Sequence, residues 1–206
     1  MKWSSGFAYA IGLLTTDGNL SKDGRHMELT SKDLEQIRTF AALLKLNNKI
    51  SKKFGRRGSE QFSYRIQFGN IKLYKFLLKI GLVPNKTKVL GEIKVPDKYF
   101  PDFLRGCFDG DGYTYSYWDK RWKNSFMLYT GFVSASKRFL VWLQGETRRL
   151  YGIVGAIKFE AKSTFSLKFA KRESLIILDK MYYSKNLPCL GRKYSIIKLA
   201  LDIIRS

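Results

Sequence analysis

Residues 108–115 read FDGDGYTY, two aspartates set between glycines and followed by aromatic residues at alternate positions. The stretch LRGCFDGDGYT at 104–114 overlays AIGLLTTDGNL at 10–20 without a gap: Gly12 falls on Gly106, Asp17 on Asp111 and Gly18 on Gly112, each pair 94 residues apart. Asp109 falls on Thr15 and has no acidic counterpart, so Asp17 and Asp111 are the pair to which repeated chemistry can be assigned. A carboxylate at the C-terminal end of a helix meets partial negative charge there, and a second carboxylate nearby would repel it. A divalent cation relieves both. Mg²⁺ takes carboxylate and phosphate oxygens, keeps several waters, and can stabilise the attacking and leaving oxygens of a phosphodiester displacement. The plainer alternative is that both aspartates simply end helices before a glycine turn.

The elements that must position the pair are themselves repeated. FSYRIQF at 62–68 matches FSLKFA at 165–170 at a shift of 103, and GLVPNKTK at 81–88 resembles KNLPCLGRK at 185–193. The growth of the shift fits a longer hairpin around Tyr117 to Lys123 in the second copy. Each copy reads as helix, hairpin, helix, hairpin, helix. In the first, the spacing predicts a helix over 3–16, a hairpin turning at Lys22-Asp23-Gly24, and a capping box at Thr30-Ser31-Lys32-Asp33 that opens a helix to Leu46. Strands over 49–55 and 61–68 turn at Gly55-Arg56-Arg57-Gly58, and a helix over 71–80 stops at Gly81. The second copy gives a helix over 99–110, strands over 112–118 and 125–133, a helix over 136–151, strands over 155–161 and 164–170, and helices over 173–183 and 191–205. The domain reading is an N-terminal repeat at 1–90, a linker at 91–98 and a C-terminal repeat at 99–206. Gly12 with Thr16, and Gly106 with Gly110, are four apart, which puts small residues on one face of each motif helix, where two helices can approach closely.

Strand alternation separates two chemistries. Phe62, Tyr64, Ile66 and Phe68 point to one face, while Gln61, Ser63, Arg65 and Gln67 point to the other. Arg pairs with guanine and Gln with adenine in the major groove, each good pair discriminating by roughly 1–3 kcal/mol. In the second copy Phe165, Leu167 and Phe169 point inward, leaving Ser166, Lys168 and Lys171 outward beside Lys158, Glu160 and Lys162. Lys52, Arg56 and Arg57 of the earlier hairpin, with Lys32, complete the candidate nucleic-acid contacts. A polar solvent face is also ordinary in antiparallel sheets. Here, however, 38 Lys and Arg stand against 17 Asp and Glu, a formal charge of +21 spread along the whole chain, which favours a polyanionic partner held on a folded surface.

The remaining composition narrows the class. An apolar fraction of 45% over 206 residues suffices for one large core or two small ones, which argues against disorder. Two cysteines, Cys107 and Cys189, argue against a disulfide framework, and a single histidine, His26, read as a strand or turn residue, argues against a His/Cys metal site and a His-based triad. The apolar run near the N-terminus is about eight residues, too short for a signal or membrane span. The expected location is cytoplasmic or nucleoid-associated, or organellar for an organelle-encoded chain.

AIGLLTTDG and LRGCFDGDG resemble two copies of the LAGLIDADG motif, and the repeat spans nearly the whole chain, as in single-chain, two-motif LAGLIDADG homing endonucleases. Thr15-Thr16 departs from the family's Asp-Ala, but the eighth motif position is Asp in both copies. The resemblance implies an α/β (α+β) fold, a pseudo-twofold duplication of an αββαββα unit. It further implies motif helices at the interface and two antiparallel four-stranded sheets forming a DNA-binding saddle. It implies a monomer that cleaves both strands of a long, specific double-stranded DNA site, with Mg²⁺ or substituting Mn²⁺ held by Asp17 and Asp111, leaving short 3′ overhangs and 5′ phosphates. Basic residues near the scissile phosphates would be Lys86, and Arg192 or Lys193. Ser31 with Lys32, and Ser136 with Lys137, fall where the family sometimes organises active-site water, although helix capping accounts for the serines equally well. No splice residues frame the chain, so a free-standing or intron-encoded enzyme is expected. Two rivals remain: a catalytically idle relative acting as RNA maturase or regulator, and a basic RNA- or ribosome-associated module whose acids are structural.

Overall fold

The computed structural model describes residues 1–55, 61–122, 125–160 and 163–205, divided between two units. The first joins Met1–Lys86 to Ile93–Gly110, and the second joins Thr87–Glu92 to Asp111–Ser206. The chain therefore changes unit twice in its connecting stretch. The second motif helix, which opens the C-terminal repeat in sequence, packs within the first unit up to Gly110.

In the first unit, α1 (Ser5–Thr16) starts at Ser4, whose Oγ accepts from Phe7 N at 3.2 Å. Every residue from Phe7 to Thr15 is buried. Such an all-round apolar helix needs cover on every side, and it contacts α2 (Leu34–Leu43), β1 (Gly18–Leu20) and β2 (His26–Ser31). The β1–β2 turn forms at the expected residues: Asp23 Oδ1 accepts from Arg25 N and His26 N, both at 3.0 Å, and Gly24 takes φ +78°. With β3 (Ile50–Phe54) and β4 (Phe62–Gly69), these strands form an antiparallel sheet in the order β1-β2-β4-β3. Helix α3 (Ile71–Ile80) opens on Asn70, whose side chain accepts from Leu73 N at 2.9 Å, and ends at Gly81, where φ of 107° suits a residue without Cβ. A short 3-10 turn at Asp97–Tyr99 leads into α4 (Phe100–Asp111).

The second unit repeats the strand order as β5-β6-β8-β7, from β5 (Gly112–Trp118), β6 (Phe126–Ser134), β7 (Ala156–Glu160) and β8 (Thr164–Phe169). Helices α5 (Lys137–Tyr151) and α6 (Lys171–Met181) pack on β6 and β8, and α7 (Gly191–Arg205) packs on β5. The fold is thus α+β, with two four-stranded antiparallel sheets and seven α-helices among the described residues. None of those helices is long and apolar enough to cross a membrane.

Three local expectations are corrected. Helix α2 ends at Leu43 rather than Leu46, and its N-cap, Asp33, makes no side-chain capping bond. The predicted capping box does not form because Ser31 is the last residue of β2: its buried hydroxyl donates to Gln36 Oε1 and accepts from Asp33 N at 3.1 Å. Lys171 is the first residue of α6 and not a sheet residue.

Candidate active site

Two glycines bring α1 and α4 together. A Cβ on Gly12 would lie 2.2 Å from Phe103 O, and one on Gly106 would lie 2.2 Å from Tyr9 O. Backbone meets backbone here, as the small-residue spacing predicted. Buried polar groups fix the pairing: Tyr9 donates its hydroxyl to Asp109 Oδ2 at 2.7 Å, and Cys107 Sγ lies 3.7 Å from Gly12 O. Arg105, wholly buried, holds Asp102 Oδ1 at 2.7 Å and lies 5.5 Å from the centre of the Tyr9 ring. Asp109 is thus buried where α4 packs against α1.

Asp17 is the C-cap of α1, half-buried, with its N–H bonded to Leu13 O at 2.9 Å. A Cβ on Gly110 would come within 2.0 Å of Thr16 Oγ1 and 3.1 Å of Asp17 Oδ2, so the carboxylate lies in a space that only glycine leaves. Lys86 Nζ donates to Thr16 O at 3.0 Å and to Gly18 O at 2.6 Å, the carbonyls on either side of Asp17. A cation thus already meets the negative end of the helix.

In the second unit, Asp111 is exposed at the last position of α4, and Lys193 Nζ donates to Gly112 O at 2.6 Å. Gly112 occupies the motif position of Gly18, so Lys193 repeats the contact of Lys86. Arg192 stands exposed in the first turn of α7. Of the two basic residues that the sequence reading offered here, Lys193 makes the contact that Lys86 makes in the first unit.

The donor set suits a hard cation. Among the described residues no group of three or more His, Cys, Asp or Glu side chains could cage a metal. Single carboxylates are what Mg²⁺ uses when it keeps water and completes its shell with phosphate oxygens; the flanking carbonyls of Thr16, Gly18 and Gly112 are taken by Lys86 and Lys193, and the space left by Gly110 admits the Asp17 carboxylate.

The sheet faces carry the remaining candidates. In the first sheet Arg65 pairs in register with Thr30 and Ser51, and Gln67 with Glu28; Gln67 and Gln61 are exposed, and Ser63 and Arg65 half-buried. Glu28, which no pattern in the chain singled out, accepts from Lys53 at 2.8 Å and lies 3.8 Å from Arg65 Nη1. Lys52 departs from the grouping: it pairs with Tyr64 on the opposite side of the sheet, and its ammonium lies 4.3 Å from the centre of the Phe62 ring. Lys32 is exposed between β2 and α2. Arg56, Arg57 and Lys162 lie outside the described residues. Of the two serines offered for active-site water, Ser136 caps α5 and donates to Leu90 O, while Ser31 bonds to Gln36.

In the second sheet Lys158, Ser166 and Lys168 share a face, as expected, but Ser166 is buried and donates to Glu160 Oε1 at 2.7 Å. The same face carries Tyr113, Tyr115, Tyr117 and Tyr129, stacked with ring centres 5.1–6.3 Å apart. Lys168 lies 4.0 Å from the Tyr129 centroid and 5.0 Å from that of Tyr115, and donates to the Tyr115 hydroxyl. The every-other-residue pattern of YTYSY was the available signal for this array.

The comparisons with known proteins agree with the architecture. Residues 6–81 match the LAGLIDADG-like domain. Full-length DUF199/WhiA from Thermatoga maritima superposes with a TM-score of 0.58 at 15% identity, over 98% of this chain and 62% of that one. The present chain thus spans less than two thirds of that protein. The I-LtrWI LAGLIDADG homing endonuclease bound to target DNA gives 0.62 at 12% identity, covering 98% and 91% of the two chains. The meganuclease I-SmaMI bound to uncleavable DNA gives 0.63 at 14%, covering 100% and 91%. No curated protein matches the chain by sequence. Residues 6–81 thus carry a LAGLIDADG-like domain, and the chain shares its fold with these LAGLIDADG structures.

Proposed function

We propose that this chain is a site-specific, divalent-metal-dependent endonuclease of the homing type, acting as a monomer on a long double-stranded DNA site and leaving short 3′ overhangs with 5′ phosphates. The observation that carries the proposal is the repeated motif end: Asp17 with Lys86 on Thr16 O and Gly18 O, and Asp111 with Lys193 on Gly112 O. A purely structural helix end has no need of a carboxylate and a lysine at the same place in both copies.

Asp17 and Asp111 would hold Mg²⁺, with Mn²⁺ as a substitute. When bound, the ion activates water and neutralises charge on the phosphodiester. Lys86 and Lys193 hold the motif ends and keep positive charge where scissile phosphates would lie. The DNA-bound neighbours of the same fold support a duplex partner. Gln61, Ser63, Arg65, Gln67, Lys158 and Lys168 would contact it, with phosphate contacts making binding salt-sensitive.

The test is sequencing of cleavage ends from a randomised duplex library, with Mg²⁺ and with EDTA. Metal-dependent breaks at one long motif support the proposal. The same fold in WhiA, a protein not named as an endonuclease, favours a second reading in which the chain binds nucleic acid without cutting; a bound motif without breaks would establish that reading instead.

A further inference from the structure

The face of the second sheet that carries Lys168 differs in kind from its counterpart in the first sheet. In the first, readout groups are charged or amide: Glu28, Lys53, Arg65 and Gln67. In the second, Tyr113, Tyr115, Tyr117 and Tyr129 form a stacked array, with interplanar angles of 18° between Tyr113 and Tyr115, 6° between Tyr115 and Tyr117, and 26° between Tyr115 and Tyr129. Tyr113 is anchored across the neighbouring strand, where a Cβ on Gly131 would come within 2.5 Å of its ring. Tyr115 and Tyr117 remain 38% and 44% exposed, which leaves this built array accessible.

The stacking decides what the array can recognise. Lys168 lies over the Tyr115 and Tyr129 rings, and the near-parallel neighbouring rings crowd the array, which reduces the π-surface on which an unpaired base could stack. What remains to an incoming ligand is apolar ring edge and phenol oxygen. Lys168 is donor-only, so the Tyr115 oxygen accepts from it and the phenol proton is not consumed by that bond. In the major groove thymine presents an apolar C5-methyl beside the O4 acceptor, the complement of a phenol edge and hydroxyl.

Resting on the duplex-binding reading above, we propose that the tyrosine face of the second sheet reads thymines in its half of the DNA site through their 5-methyl groups. The first sheet reads its half by hydrogen bonding.

The test begins with duplexes enriched for binding by the full chain. The half-site whose base preference relaxes in Gln67→Ala belongs to the first sheet, and the other half to the tyrosines. Replacing thymine by deoxyuridine in the tyrosine half removes only the methyl group. Binding should weaken about fourfold per contacted position, the value of one methylene-sized group, with no change for the same replacement in the other half. In Tyr115→Ser/Tyr117→Ser the thymine–uracil ratio should fall to one; because it is a ratio within one protein, a partial loss of folded material leaves it unaffected. Equal binding of thymine and uracil in both halves by the unsubstituted chain would overturn the inference and leave the endonuclease reading intact. Selective loss of single-strand binding in the tyrosine variant, with duplex preference unaltered, would also overturn it. Failure to enrich any duplex would overturn both.

Discussion

Tyr9 donates its phenolic proton to Asp109 Oδ2 at 2.7 Å, joining one motif helix to the other through a buried hydrogen bond. This relationship gives the two aspartates of FDGDG separate expected roles. Tyr9→Phe should leave the buried carboxylate without that donor and cost about 1–3 kcal/mol in denaturant unfolding. Asp109→Asn should lower stability, whereas Asp111→Asn should leave the unfolding midpoint near its original value and abolish cleavage.

The glycines give a steeper prediction. Because a Cβ at Gly12 or Gly106 would meet backbone oxygen at 2.2 Å, no side chain can move aside. Gly12→Ala and Gly106→Ala should each cost about 3 kcal/mol or more, visible as a fall in unfolding midpoint or loss of soluble protein. Gly110→Ala, which meets Thr16 and the Asp17 carboxylate, should reduce cleavage out of proportion to its effect on stability.

The two motif-end lysines should behave alike. Lys86→Met and Lys193→Met each remove a cation from the end of a motif helix, a loss of about 0.3–1 kcal/mol of stability. Both should slow strand cleavage far more than they weaken binding. Arg192→Met should leave cleavage near that of the unsubstituted protein. Single-turnover assays that resolve nicked from linear product, run beside a binding titration, check all three.

Alkaline titration tests the tyrosine face. Burial raises the Tyr113 phenol above its ordinary value, and a hydrogen bond with Tyr129 does the same for Tyr117. The bond to Tyr115 raises the Lys168 ammonium. For groups raised in the folded state, their stabilising contribution is complete below the unfolded pKa values and is lost as pH rises through the folded ones. Stability should therefore hold up to about pH 10 and decline above it, with part of the phenolate absorbance appearing later than in the unfolded chain. Tyr117→Phe should remove part of that late absorbance.

Much of the fold was legible because its signals are local. The alternation of FSYRIQF and the glycine that ends α3 depend on neighbours in the chain, and the observed course of β4 and the end of α3 follow them. The aspartate pair was legible through repetition. What escaped depends on cross-strand register. Lys52 faces Phe62 because pairing with Tyr64 fixes its side of the sheet. Glu28 meets Lys53 and Arg65 across two strand boundaries. Ser31 resembled a helix cap in a four-residue pattern, but the β2 pairing with Tyr64 had already placed it in the sheet. The choice between Arg192 and Lys193 required knowing which one reaches Gly112, 81 positions earlier in the chain.

The most direct test of the central claim is cleavage and binding measured together on the enriched duplex, comparing the unsubstituted chain with Asp17→Asn/Asp111→Asn, in Mg²⁺ and in EDTA. Site-specific double-strand breaks are expected only for the unsubstituted chain with metal, with retained sequence-specific binding by the variant. Cleavage that survives either EDTA or the double substitution would contradict that claim.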